Sequence, residues 1–163
     1  MTKKILLSKD KYALVDDEDY LWLNEYKWCC NGQGYAMRGK WNKMKKVNDH
    51  FIMHREILHA PDGIEVDHIN GNRLDNRKEN LRLSTKVENG RNRGLNSNNS
   101  SGYKGVSYKK SRHNWQARIN VKGKRIWLGQ GNSPEEAARI YDIGALKYFG
   151  EFAWTNFPKE NYI

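Results

Sequence analysis

The stretch VDHINGNRLDNRKENLRLSTKVEN, residues 66–89, decides the fold of the first half of this chain. Residues 66–72 read as a strand running into a turn at Asn70-Gly71, a dipeptide that readily reverses the backbone. LRLST at 81–85 is a second short strand. Thr85-Lys86-Val87-Glu88 then has the pattern of a capping box, with Thr85 as N-cap and Glu88 reaching back to it. A helix would begin at Lys86 and carry Asn89 in its first turns. Strand, loop, strand and helix follow one another inside this single stretch.

The region 54–89 also concentrates the groups able to do chemistry: His54, Arg55, Asp67, His68, Asn80 and Asn89. Asp67 and His68 are neighbours at a strand end, so their side chains leave opposite sides of the backbone unless the strand bends. Two adjacent residues can thus take separate tasks, one as metal ligand and one as base. A carboxylate plus an amide oxygen, with other positions filled by water and phosphate, suits Mg²⁺ or Mn²⁺. A neutral imidazole near pH 7 can take a proton from water attacking phosphorus. Each residue taken alone also has a duller role: strand-end histidine, turn cap, loop amide, helix-surface amide. The ordered set and its spacing carry the chemical reading.

Working outward, the runs KYALVD (11–16), YLWLNEYKWCC (20–30), GYAMRGKW (34–41) and HFIMHREI (50–57) suggest short antiparallel strands and hairpins. Trp22, Trp28, Tyr35 and Trp41 are expected to form a compact core, and Cys29-Cys30 to lie inert in a strand. On the other side, NGRNRGLNSNNSSG (89–102) is dominated by Asn, Ser and Gly and reads as a flexible linker. Beyond it come three strand candidates, YKGVSYK, NWQARINV and KRIWLGQ, the last two joined by a turn at Lys122-Gly123-Lys124. Ser133-Pro134-Glu135-Glu136 is a helix start, and Ala137, Ile140, Tyr141, Ala145, Tyr148 and Phe149 form an apolar stripe that ends at Gly150. The expected fold class is α+β: a β-rich leader with the strand–loop–strand–helix unit over 1–94, a linker at 95–102, and a three-stranded sheet packed on one helix over 103–163.

The chain has 163 residues and a net charge of +10, from Lys+Arg 29 and Asp+Glu 19. The bias is uneven, with a net +4 over residues 1–94 and +6 over the shorter remainder. Within 103–127 stand eight bases, Lys104, Lys109, Lys110, Arg112, Arg118, Lys122, Lys124 and Arg125, and no acid. Such a run on a small sheet implies a polyanionic partner. No apolar run approaches the roughly 20 residues of a membrane span, so no membrane partner is expected. The N-terminus lacks the apolar core of a secretory signal, and two adjacent cysteines can neither staple distant segments nor complete a four-ligand zinc site. A cytoplasmic protein, in the host-cell interior, is the expectation.

The 66–89 stretch resembles the HNH nuclease motif of the ββα-metal superfamily, in the form common among phage and intron-associated homing-type endonucleases. The resemblance implies that His68 is the general base and that Asn80, the central asparagine, buttresses the loop and orients that histidine. Asn89 stands where many relatives have a metal-binding histidine, so the chain looks like the HNN variant, in which Asp67 and Asn89 bind a single hard cation, Mg²⁺ or Mn²⁺, one per active site. His54 and Arg55 match an upstream His-Arg pair and would have phosphate or scaffold roles. The C-terminal segment is similar to the plant ethylene-response-factor (apetala-two) DNA-binding domain, a three-stranded sheet laid in the major groove and backed by a helix. That likeness puts Lys104, Lys109, Arg118, Arg125 and Trp127 on DNA-contacting positions, with Lys110 and Arg112 beside them. Ser107 and Arg118 depart from the residues usual in plants, so the sequence preference would differ. Trp115 is equally plausible as core.

The leading expectation is therefore a divalent-metal-dependent DNA endonuclease acting on double-stranded DNA, monomeric when free and nicking one strand unless two molecules meet. The alternative is a non-catalytic, sequence-specific DNA-binding regulator with the HNH-like part as scaffold. An RNA-binding reading is weaker, because the aromatics are dispersed at strand spacing and do not share one platform.

Overall fold

A computed structural model describes residues 1–162. The chain is mixed α+β and divides into two compact units at Asn89/Gly90. The first opens with a hairpin of β1 (Thr2–Leu6) and β2 (Tyr12–Asp16). Helix α1 (Asp17–Asn24) follows, then an antiparallel sheet of β3 (Cys29–Cys30), β4 (Ala36–Asn42) and β5 (Val47–Ile52) in sequential order. A short helix α2 (Met53–Ile57) leads to the paired strands β6 (Glu65–His68) and β7 (Leu81–Ser84) and to α3 (Lys86–Arg91).

Two segments expected as strands are helical. In YLWLNEYKWCC, residues up to Asn24 belong to α1, because Asp17, Glu18 and Asp19 fill its first turn and favour the positive end of the helix dipole. Within HFIMHREI only the first three residues are strand. Met53 and Ile57, four apart, are both buried, which is helix spacing and not the alternation of a strand. The core gathers Ile5, Val15, Leu23, Trp28, Met53, Val66 and Leu81 from nearly every element of the unit. Trp22 packs against this core, whereas Trp41 is 57% exposed and lies outside it, contrary to expectation.

The loop between β6 and β7 is tied to the first hairpin. Leu14 on β2 accepts from the Asn76 amide and donates to the Leu74 carbonyl, both at 2.8 Å. The loop is thereby fixed to β2.

In the second unit β8 (Val106–Lys109), β9 (Asn114–Val121) and β10 (Lys124–Gly131) form an antiparallel sheet ordered β10-β9-β8. Lys122 and Gly123 both take positive φ, 49° and 78°, as a tight hairpin turn requires. Helix α4 (Pro134–Phe149) starts at Ser133, whose hydroxyl accepts from the Glu136 amide at 3.1 Å. Its inner face, with Tyr141 and Ala145, covers Ala117 and Ile119. Trp115 belongs to a smaller cluster with Val106, Ala137 and Ala138. Asp142 is fully buried and accepts from the Asn156 amide and side chain, the Phe157 amide and the Tyr162 hydroxyl, anchoring the C-terminal segment to the helix.

The Asn/Ser-rich stretch has few apolar groups, yet it is hydrogen-bonded into this unit. Asn99 donates to the Tyr103 carbonyl at 2.9 Å, Ser101 to that of Val106 at 3.0 Å, and Gly94 lies against the Trp154 ring. Short polar side chains order a loop by bonding the nearby backbone.

Candidate active site

Strands β6 and β7 pair with Asp67 opposite Arg82 and His68 opposite Leu81. Alternation along β6 sends Glu65 and Asp67 to one side and Val66 and His68 to the other. The two neighbours thus have separate surroundings.

His68 is buried, and its Nε2 lies 3.2 Å from Asn76 Oδ1. With the amide oxygen accepting, the proton sits on Nε2 and the basic lone pair on Nδ1. The imidazole ring is 4.9 Å from that of His54, edge to face, and 5.8 Å from the Tyr35 ring. Burial holds its pKa below the ordinary value, against the opposing Asn76 bond and the Asp67 and Asp75 carboxylates. His68 is therefore neutral at pH 7, the state a base requires.

Asn80, on the short 3₁₀ turn Lys78–Asn80, faces the loop backbone. Its Oδ1 accepts from the Asn70 amide at 2.9 Å and its Nδ2 donates to the Asp75 carbonyl at 2.8 Å. It braces both ends of the turn that follows His68. Asp75 adds a second layer: its carboxylate receives Asn70 Nδ2 at 2.9 Å and the Arg77 guanidinium at 2.7 Å, which holds its pKa down.

On the opposite side, Asp67 Oδ2 accepts from Arg82 at 2.9 and 2.6 Å. Asn89, on α3, donates to Glu65 Oε2 at 2.6 Å. The capping box of α3 is formed, with Glu88 accepting from the Thr85 amide at 2.8 Å and Thr85 Oγ1 from the Glu88 amide at 3.2 Å. Glu65, Asp67 and Asn89 thus supply oxygen donors of the hard type that Mg²⁺ and Mn²⁺ prefer. Among the described residues no three His, Cys, Asp or Glu side chains form an ion cage of their own. The donor set fits an open site completed by amide, water and phosphate oxygens.

The upstream pair divides. Arg55 donates to the carbonyls of Ala60, Pro61 and Ile64, which makes it a staple of the loop leading into β6. His54 is 6% exposed, and burial, reinforced by His68 and Arg55, pushes its pKa down to about 3. Its Nδ1 has no hydrogen-bond partner among the described residues.

On the second unit, the cross-strand pairs Trp127–Arg118, Arg125–Asn120, Ser107–Gln116 and Lys109–Asn114 alternate with the helix-facing Ala117 and Ile119 and define the outer face of the sheet. Lys109, Lys110, Arg112, Arg125 and Trp127 are exposed. Arg118 donates to Gln116 Oε1 at 2.8 Å, while its Nε is buried without a partner among the described residues. Lys104 differs from its expected role: its amine donates to the Arg91 and Arg93 carbonyls, and burial lowers its pKa to about 8. That ammonium is spent on holding the backbone.

Four residues near the site had no site role in the sequence reading, Tyr35 among them, which was expected in the core and instead packs against His54 and His68. Asn76 could have been found from its four-residue spacing to Asn80, and Glu65 from its i, i+2 relation to Asp67. Tyr35 and Arg82 had no local signal, since only the fold brings them there.

Comparison with known proteins agrees with this geometry. The HNH endonuclease family signature matches residues 59–91. An uncharacterized HNH endonuclease of Acanthamoeba polyphaga mimivirus is 33% identical over 150 residues, covering 91% of this chain and 76% of the relative. The chain belongs to the HNH endonuclease family. As a member of it, the protein is a DNA endonuclease, of a family whose enzymes generally use a divalent metal. Part of this HNH endonuclease is similar to plant proteins: an ethylene-responsive transcription factor of Arabidopsis thaliana is 40% identical over 77 residues, or 39% of this chain and 17% of the relative. An AP2/ERF and B3 domain-containing protein of Oryza sativa subsp. japonica is 48% identical over 59 residues, or 36% of the chain and 16% of the relative. This HNH endonuclease thus carries an AP2-like DNA-binding domain as well.

Proposed function

We propose that this HNH endonuclease hydrolyses one phosphodiester of duplex DNA in a reaction dependent on Mg²⁺ or Mn²⁺, while the outer face of its AP2-like sheet grips the duplex. The observation that carries this reading is the split at β6: a buried, neutral His68 on one side and the oxygen donors Asp67 and Asn89 on the other. His68 Nδ1 takes the proton of the attacking water, and Asn76 on Nε2 keeps the imidazole in the tautomer able to do so. Asn80 holds the loop that fixes both. Asp67 and Asn89 would hold one ion per site, and Glu65 turns the Asn89 amide oxygen toward it by engaging the amide nitrogen. When bound, the ion supplies charge stabilisation for the phosphate and its leaving oxygen. One such centre in a monomer cuts one strand at a time, inside the host cell where the DNA is.

The exposure of Lys109, Lys110, Arg112 and Arg125 supports the gripping role, and each phosphate they contact would add about −0.9 to the slope of log affinity against log salt. The test is conversion of supercoiled plasmid to nicked circle with and without Mg²⁺, beside His68→Ala. Metal-dependent nicking lost in the variant is the expected result. Absence of metal-dependent nicking would overturn the proposal and leave the DNA-binding regulator as the better reading, whereas nicking that survives His68→Ala would overturn the assignment of His68 as the base.

A further inference from the structure

Arg73 lies exposed on the loop between β6 and β7, and it is built into the site from a different element. Its guanidinium carbon is 4.9 Å from the centroid of the Tyr35 ring, and one of its amino groups donates to the Gln33 carbonyl. Tyr35 in turn packs against both histidines, with ring centroids 5.0 Å from His54 and 5.8 Å from His68. A cation, a phenol and the proposed base are thus stacked in that order.

The shelf that carries Arg73 is preformed. Asn31 Oδ1 accepts from the amides of Gln33 and Tyr35 at 3.0 and 2.9 Å, and the Asn31 amide donates to the Tyr35 carbonyl at 2.9 Å. Gly34 turns the chain there with φ 88°, beside the aliphatic stem of Arg73. This is a rigid turn whose carbonyl and ring face one guanidinium.

The other arginines of the first unit already have occupations. Arg38, Arg77 and Arg82 are paired with carboxylates, and Arg55 is spent on three carbonyls. Among the described residues Arg73 has no carboxylate within ion-pair distance. An unneutralised guanidinium beside a proton-accepting imidazole matches one anion of the reaction, the phosphodiester, whose non-bridging oxygens a guanidinium fork fits.

We propose that Arg73 is a catalytic residue that donates to a non-bridging oxygen of the scissile phosphodiester, and that Tyr35 is the positioning residue that presents it beside His68. This rests on the nuclease reading above. Arg73 engages the charge that grows on the phosphoryl oxygens as water adds. It gives up no proton and forms no bond.

The test uses the full chain on a duplex oligonucleotide whose cut position has been mapped, under single-turnover conditions at saturating protein. Arg73→Gln should slow nicking about 100-fold, the scale seen when one charge-stabilising donor is removed. DNA affinity should change less than threefold. A methylphosphonate at the scissile position, which removes the charge that Arg73 faces, should slow the wild type far more than Arg73→Gln. Tyr35→Phe should keep the wild-type rate, and Tyr35→Leu should lose rate without adding to Arg73→Gln in the double variant. Nicking by Arg73→Gln within threefold of wild type would overturn the proposal. So would equal methylphosphonate sensitivity in the two proteins, because a guanidinium that merely pins the loop to Gln33 would leave that sensitivity unchanged. A wild type that never nicks would overturn the nuclease reading itself, an outcome distinct from a nicking wild type matched by its Arg73 variant.

Discussion

Acidification from pH 7 to pH 5 should destabilise the first unit, and the share that His54 contributes can be isolated. His54 is buried with its pKa near 3, against an ordinary 6.5. In the unfolded chain it binds a proton as the pH falls through 6.5, and in the folded chain it does not. The unfolded state therefore holds more protons over this window, so stability falls as the pH falls. The loss begins at the unfolded value and continues until the folded pKa is reached. Down to pH 5 the interval is about 1.5 units at ~1.36 kcal/mol each, or about 2 kcal/mol from His54. The side chain is 6% exposed, so solvent screening leaves that figure largely intact. Urea unfolding of the wild type and of His54→Gln at both pH values isolates the contribution as a difference of differences. The wild type should lose about 2 kcal/mol more than the variant over the interval. Equal losses in the two proteins, or a His54 imidazole proton signal titrating near pH 6, would refute the reasoning.

Three further outcomes follow from the packing. Gly105→Ala would place a methyl 2.0 Å from a Tyr141 ring carbon at a φ of +74°, so thermal melting should show the second unit destabilised by at least about 3 kcal/mol. Asp142→Ala strands four part-buried donors and should cost roughly 3 kcal/mol, with limited proteolysis releasing the C-terminal segment first. Asn80→Ala removes both braces of the catalytic loop and should lower the nicking rate by about 10²-fold while DNA affinity holds, since loop misplacement of about 1 Å is enough for that. Unchanged nicking would show that the brace is dispensable.

Much of this was legible because the signals are local. The Thr85–Glu88 box, the Ser133-Pro134 start, the Lys122-Gly123 turn and the apolar stripe of α4 each depend on residues within a few positions of one another. The failures were of two kinds. In YLWLN and MHREI, aromatic and apolar density suggested strands, but an acidic first turn and four-residue burial spacing made helices. Lys104 aligned with DNA-contacting positions, yet neighbouring carbonyls capture its amine, which composition cannot reveal. The site shows the same division. Asp67, His68, Asn80 and Asn89 are ordered along one stretch. Tyr35 and His54 reach His68 only because the β3–β4–β5 sheet and α2 are packed into the same core as β6.

The pairing of Asp67 with Arg82 gives the two halves of the site a common logic. A carboxylate 4% exposed would be strongly disfavoured without a counter-charge, and Arg82 provides one across the strand pair at 2.6 Å. A divalent ion at Asp67 would meet the same requirement with a larger charge, so arginine and ion compete for one oxygen-rich face. His68, one residue on, stays apart from that competition because alternation turns it into the compartment of Tyr35 and His54. Placing an imidazole among aromatic rings and a carboxylate beside a guanidinium on consecutive residues requires two environments. An edge-like pair of four-residue strands solves it geometrically, with a charged side for Asp67, Glu65 and Asn89 and an aromatic side for His68. The net charge of +10 averages over such arrangements. Among the arginines of the first unit, Arg38, Arg77 and Arg82 are answered by carboxylates and Arg55 by carbonyls, while Arg73 meets the Gln33 carbonyl and the Tyr35 ring without a carboxylate. The second unit's exposed sheet lysines and arginines have few acids to answer them.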